Sequence, residues 1–368
     1  SWRDARRGKV PLPTYAFQHA AYFIEPGMVT ADETNDWLTR SDTPDDWGYR
    51  PAWLPRYAAC DVDVTGDLSE AEQQTWLVFA DDAGLTGKAA QRLRDAGHDV
   101  VTVRPGDTFA RDGEGGYFIA PERGRESYDL LISDLNTRDL IPTRILHGWM
   151  ITADESFRPG SSFFHRVQEQ GFYSLFFLAQ AIGGEDLGDD IHICALSTNA
   201  MQYKDEALAH PEKATLAGPA RVIPREYPNL SVSTLDLTLP VRVGRKKRFA
   251  EADIDRLVDN ILEEALADPS NGTALIRNNK RFELTYKHAA LTDLPDDGKL
   301  PVLKDNGVYL ITGGFGGIGL TLAETLIKQC NARIALIARS ALPPRETWDT
   351  TLKNTAPSAP LARRIKAI

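Results

Sequence analysis

The stretch GVYLITGGFGGIGLTLAETL, Gly307 to Leu326, constrains the fold more than any other part of the chain. An apolar run meets a cluster of glycines, and a helix-forming run follows. That reads as a strand, a tight turn and the start of a helix. Thr312, Gly313, Gly314, Phe315, Gly316, Gly317, Ile318 and Gly319 form the pattern TGxxxGxG. Glycines let the backbone turn sharply and approach a pyrophosphate closely, and the helix then aims its free N–H groups at the phosphates. With a strand before it and a helix after it, the pattern predicts a dinucleotide site. The next strand, in NARIALIARS, ends on Arg339 and Ser340. In NAD sites an acidic residue about 20 positions past the glycines binds the ribose 2′-hydroxyl. Here a guanidinium stands in that place and suits a 2′-phosphate. NADPH is therefore expected over NADH.

The unit starts late in a 368-residue chain, a length that allows two or three domains. Upstream, from Tyr49, apolar runs alternate with helical patterns. TWLVFAD (Thr75 to Asp81), HDVVTV, RILHGWMI (Arg144 to Ile151), IHICALST, LSVSTLDLT, TALIRN and RFELTYKH read as strands. GKAAQRLRDAG reads as a helix closed by Gly97, and SFFHRVQEQGFYSLFFLAQAIGG as a long apolar helix. Ile254, Leu257, Val258, Ile261, Leu262 and Leu266 share one face of a further helix. Such alternation predicts a mostly parallel sheet covered on both faces. Its first turn, DDAGLTGKAA, lacks the GxGxxG spacing. Asp81 and Asp82 there would repel phosphate, and Ala89 stands where a P-loop needs Ser or Thr. The fold class expected is α/β, two Rossmann-like units in tandem, the first free of nucleotide and the second NADP-binding. The boundaries expected are a linker over residues 1–48, the first unit over 49–300 and the second over 301–368, ending in a polar tail.

Composition excludes several function classes. A net charge of −10 disfavours nucleic acid. The one basic run, GRKKRF (Gly244 to Phe249), reads as a solvated loop before a helix. Cys60, Cys194 and Cys330 lie far apart and form no CxxC pair, so neither a disulfide framework nor a zinc site is indicated, and a reducing cytoplasm fits. No apolar run approaches the roughly 20 residues that span a bilayer. There is no HExxH and no GxSxG. No metal site is expected. The aromatic cluster from Phe163 to Phe177 reads as helix core.

The string TGGFGGIG with LIARS resembles the opening of the short-chain dehydrogenase/reductase fold, in the form found in ketoreductase domains of type I polyketide synthases. Those domains pair a catalytic Rossmann subdomain with an N-terminal structural subdomain, a truncated Rossmann fold that binds no cofactor. LPTYAFQHAAYFIEPG resembles the linker that follows the acyltransferase, usually close to PTYxFQRxRYW, with His19 for the usual Arg and Phe23 for the usual Trp. Its aromatics Tyr15, Phe17, Tyr22 and Phe23 suggest a strap lying on a neighbouring domain. YRPAWLPR and HPEKATLAGPARVIPREYPNLSVSTLDL (His210 to Leu237) resemble segments of the structural subdomain.

The resemblance implies NADPH-dependent reduction of a β-ketoacyl chain to the β-hydroxyacyl chain. The substrate would be held on the phosphopantetheine arm of an acyl carrier protein, with ketosynthase and acyltransferase domains as partners in the same synthase. That chemistry needs a Ser and a YxxxK pair. No Tyr here has Lys four places on, and the last Tyr is Tyr309, ahead of the glycines. No catalytic residue is expected in this chain, and alone it is expected to be inactive. An early stop, an insertion point for another domain and a dead reductase all fit. The rival reading is a non-catalytic, reductase-like scaffold between the ketosynthase–acyltransferase body and the carrier protein. A stand-alone NADP-binding protein is a third.

Overall fold

The computed structural model describes residues 41–368, except 67, 154–161, 186, 189, 241–248, 292–299, 340 and 357–358. The strap aromatics, most of GRKKRF and Ser340 lie outside the described residues. The chain divides into two compact units, one from Tyr49 to Ala289, the other from Ala290 to Ile368 with the described residues before Tyr49.

The larger unit runs β1 (Tyr49–Pro55), β2 (Thr75–Phe79), α1 (Leu85–Asp95), β3 (Asp99–Pro105), β4 (Ala110–Arg111), β5 (Tyr117–Ile119), α2 (Glu126–Thr137), β6 (Arg144–Met150), α3 (Ser162–Val167), α4 (Ser174–Gly184), β7 (Ile191–Thr198), α5 (Ala217–Glu226), β8 (Leu230–Leu237), α6 (Glu251–Leu266), β9 (Thr273–Arg277) and β10 (Lys280–His288). One ten-stranded sheet takes the order β1-β10-β9-β8-β7-β6-β2-β3-β5-β4. From β5 to β9 every neighbouring pair is parallel. The chain reverses its direction of winding between β2 and β6, as a doubly wound sheet does. Only the outer strands β1, β10 and β4 pair antiparallel. The α/β class expected from sequence, with a parallel-dominated sheet, is the one found. The truncation shows in one connection: β3 reaches β5 through the short β4, with no crossover helix.

All eight residues of β7 are buried, His192, Ser197 and Thr198 among them, as in a strand covered on both faces. Leu77 and Phe79 face one core with α2, α4 and α5. Trp76 and Val78 face the other with α1 and α6. Gly148 breaks the run in β6 for a steric reason. A Cβ there would lie 2.5 Å from Thr86 Cγ2 and 2.8 Å from the Phe79 carbonyl oxygen, and the register with β7 shifts beside it.

The long apolar helix is continuous but not uniform. A π-helical stretch, Gln168–Tyr173, joins α3 to α4. The aromatic cluster divides between core and surface, which corrects in part the expectation of a helix core, while Phe177 packs against the core. Phe163 is buried, whereas Phe164 and Tyr173 are each 44% exposed and Phe176 39%. Phe172 and Phe176 line a groove of about 290 Å³ with Gly218, Pro219 and Val222 of α5.

Two histidines are locked in the larger unit. His147 stacks on Phe79 at 4.7 Å, with its Nε2 2.8 Å from Ser174 Oγ. Burial pushes its pKa down to about 3. His192 lies between Ser231 and Ser233, and burial, with repulsion from Arg144, lowers it to about 4. In the unfolded chain both titrate near 6.5. Between about pH 6.5 and 4 the unfolded chain thus binds more protons, so stability falls as the pH falls. From pH 7 to pH 5 the two together are expected to remove about 4 kcal/mol. Urea midpoints across that range check this, and His192→Asn should roughly halve the loss from the pair.

The smaller unit holds β11 (Val308–Thr312), α7 (Gly317–Cys330), β12 (Arg333–Ile337), α8 (Trp348–Asn354) and α9 (Pro360–Ala367). β11 and β12 pair parallel, with α7 as the crossover. Side chains alternate along both strands. Tyr309, Ile311, Ile334 and Leu336 are half-buried, while Val308, Leu310 and Ile337 on the other face are 74%, 63% and 53% exposed. The tail expected to be merely polar forms two short helices, of which α9 buries Ala362 and Ile365.

Candidate functional site

The TGxxxGxG turn sits at the carboxyl end of β11, where a parallel sheet presents ligands to the following helix. Gly313 has φ +66°, the left-handed region that favours glycine. Its carbonyl accepts from the Gly316 amide at 2.9 Å, and the Gly314 amide donates to Ile337 O at 3.0 Å. These bonds tie the turn to itself and to β12. Gly314 and Gly319 are packed backbone to backbone. A Cβ on Gly319 would fall 2.8 Å from Gly314 Cα, and one on Gly314 would fall 2.8 Å from Leu336 Cβ. A Cβ on Gly317 would meet nothing within 4 Å.

Gly316 caps α7 without a side-chain hydrogen bond, and the first helical bond is Leu320 N to Gly316 O at 3.0 Å. The amides of Gly317, Ile318 and Gly319 therefore have no intrahelical acceptor. A cleft of about 460 Å³ opens over this turn, lined by Thr312, Gly313, Phe315, Gly316, Ile337, Ala338, Arg339 and Arg364. The structure brings Thr312, Gly313, Phe315, Gly316 and Arg339 together around it. Gly314, Gly317, Ile318 and Gly319 shape the turn but do not line the cleft, and Ile318 is 80% exposed. Arg364, from α9, went unnoticed in the sequence. No spacing rule singles it out, because its place depends on how α9 packs through Ala362 and Ile365. A tight glycine turn, open helix amides and guanidiniums fit the phosphates of a dinucleotide. Tyr309, the last tyrosine, is engaged elsewhere, its hydroxyl 2.8 Å from the Lys304 amide.

The matching corner of the larger unit is built differently. There Asp81, just past β2, accepts from the amides of Leu85 and Thr86 at 3.2 and 2.7 Å and from Thr86 Oγ1 at 2.5 Å. Its carboxylate occupies the donors a phosphate would use at the start of α1. Burial raises the Asp81 pKa, partly offset by these bonds. The sequence suggests repulsion of phosphate; the geometry adds occupation of the site. Among the described residues no group of three or more His, Cys, Asp or Glu side chains is placed to hold a metal. No described helix is long and apolar enough to cross a membrane.

Comparisons with known proteins agree on the kind of chain this is. Residues 74–251 match the family model "Beta-ketoacyl synthase-like, N-terminal", and residues 307–359 match "KR domain". 6-Methylsalicylic acid synthase of Penicillium patulum is 33% identical over 157 residues, 42% of this chain and 8% of that protein. Polyketide synthase ThaG of Burkholderia thailandensis is 26% identical over 332 residues, 86% of this chain and 5% of that protein. The chain thus spans less than a tenth of the length of these curated relatives. Its fold is similar to a structure of the adenylation, ketoreductase and pseudo Asub domains of a keto acid-selecting NRPS module. The TM-score is 0.64 at 24% identity, covering 87% of this chain and 24% of that one. It is also similar to an N-terminal ketoreductase from the macrolactin assembly line, with TM-score 0.58 at 19% identity, covering 83% and 56%. Together these matches support a region of a type I polyketide synthase that runs into the ketoreductase domain.

Proposed function

We propose that this chain supplies the structural unit and the cofactor-binding half of an NADPH-dependent β-ketoacyl reductase in a modular polyketide synthase. The observation that carries this reading is the open α7 corner: a glycine turn, amides without a capping carboxylate, and Arg339 over one cleft. In this assignment residues 1–48 are the linker, 49–300 the structural subdomain and 301–368 the start of the catalytic subdomain. The substrate is a β-ketoacyl chain on the phosphopantetheine arm of an acyl carrier protein, with the ketosynthase and acyltransferase domains as neighbours. The bound cofactor donates the hydride that turns the ketone into the hydroxyl.

The residues of this chain do the holding. The turn from Gly313 to Gly316 and the first amides of α7 seat the pyrophosphate, and Arg339, with Ser340 next to it in sequence, faces the 2′-phosphate. Proton delivery to the carbonyl oxygen needs a Ser and a YxxxK pair, which these residues do not contain. The larger unit serves as framework, its own α1 corner taken by Asp81. Three free thiols suit a reducing cytoplasm.

The test is a titration of the chain with NADPH, followed by addition of a ketone surrogate. Saturable binding with turnover at background is expected. Turnover well above background would end the claim that this chain alone is inactive. If NADPH does not bind, the dinucleotide reading falls, and the scaffold reading takes its place.

A further inference from the structure

The cleft over the glycine turn holds two guanidiniums, and only one has a role so far. Arg339 lies two residues past β12; Arg364 arrives 25 positions later on α9 and lines the same cleft. Ala362 and Ile365, both buried, seat α9 and fix the backbone that carries Arg364. The cleft lining contains no carboxylate. Among the described residues neither Arg339 nor Arg364 makes an ion pair or a side-chain hydrogen bond. Their neighbours are placed differently. Arg345 stacks over the Trp348 ring at 4.9 Å, and Arg363 is exposed and does not line the cleft. Arg339 is exposed and Arg364 half-buried, so both guanidiniums are open to an anion that enters the cleft.

We propose that Arg364 is a second specificity-determining residue, which grips the 2′-phosphate of NADPH together with Arg339. This rests on the dinucleotide reading given above. A phosphomonoester carries about −1.5 to −2 charges at pH 7, so a single guanidinium leaves roughly half of it unmatched. NADH offers only a hydroxyl at that position. Arg364 therefore sets the preference between the two cofactors and leaves their common parts to the glycine turn. Because α9 carries it, the cleft is complete only once α9 is in place.

The test measures dissociation constants of the chain for NADPH, NADH and 2′,5′-ADP by calorimetry. The variants are Arg364→Ala, Arg364→Lys, Arg339→Ala and, as a neighbouring control, Arg363→Ala. Arg364→Ala is expected to weaken NADPH and 2′,5′-ADP about tenfold or more and to leave NADH unchanged. Arg364→Lys should recover part of the loss, and Arg363→Ala should do nothing. Equal weakening of NADPH and NADH by Arg364→Ala would place the residue on the pyrophosphate and overturn the proposal. So would unchanged NADPH affinity in Arg364→Ala when Arg339→Ala still loses it; the dinucleotide reading survives that result. A wild-type chain that binds none of the three ligands overturns both.

Discussion

Gly319→Val is expected to abolish NADPH binding, with a loss of at least about 100-fold, and to lower the stability of the smaller unit by about 1–3 kcal/mol. The cause is local and steric. The Cβ of any residue at 319 would lie 2.8 Å from Gly314 Cα and 2.9 Å from the Gly313 carbonyl oxygen. Both are backbone atoms, so no flexible side chain can yield. The first turn of α7 must then move away from the turn that holds Gly313 at φ +66°. Its free amides lose their common aim, and each charge-assisted hydrogen bond forgone contributes about 1.5–3 kcal/mol. Gly317→Ala is the control for folding, because its Cβ would meet nothing within 4 Å. Calorimetric titration with NADPH and a thermal melt separate the two effects. A variant that melts lower but binds NADPH as before would mean that the phosphates do not rest on this turn.

The strands at the centre of the larger sheet were legible because burial on both faces writes a short, predominantly apolar run without alternation, as in TWLVF of β2. The helix α6 was legible because one face carries all its large apolar residues. The glycine turn was legible because its backbone geometry admits little else. What stayed hidden depends on distance along the chain. The pairing of Tyr49 with His288 joins residues more than two hundred positions apart, and neither strand's composition names its partner. The exposure of Phe164, Tyr173 and Phe176 depends on which side of the helix each residue takes, and aromatic content alone does not report it. Asp81 was read as hostile to phosphate, but its three hydrogen bonds to the start of α1 could not be seen in DDAG. Arg364 was missed because the packing of α9, not a spacing, brings it to the cleft.

In the larger unit, charged side chains also fill the space beyond the carboxyl ends of β7 and β8, where doubly wound sheets receive ligands. Lys213 is fully buried and donates to Thr152 Oγ1 at 2.7 Å and Thr198 Oγ1 at 2.8 Å, and burial lowers its pKa to about 8. Asp236, also fully buried, lies 2.7 Å from Arg277 Nη2 and accepts from Ser197 Oγ and the Ala200 amide at 2.7 and 2.9 Å. The net effect of burial is a raised Asp236 pKa, held back by Arg277 and Ser197. Asp236→Ala is expected to cost about 3–5 kcal/mol, because it leaves Arg277 buried with one carboxylate, Glu206, at 2.8 Å, and strips the Ala200 amide of its acceptor. Replacing both members of the pair, Asp236→Leu with Arg277→Met, should recover much of that loss, since the desolvation cost goes with the charges. Urea unfolding of the two variants decides the matter. A loss below about 1 kcal/mol for Asp236→Ala would mean that water reaches Arg277, and the crevice would then be open rather than plugged. A loss of the expected size means that the larger unit has filled with its own side chains the place where the smaller one leaves glycines and open amides. The division of labour between the two units would then rest on that difference.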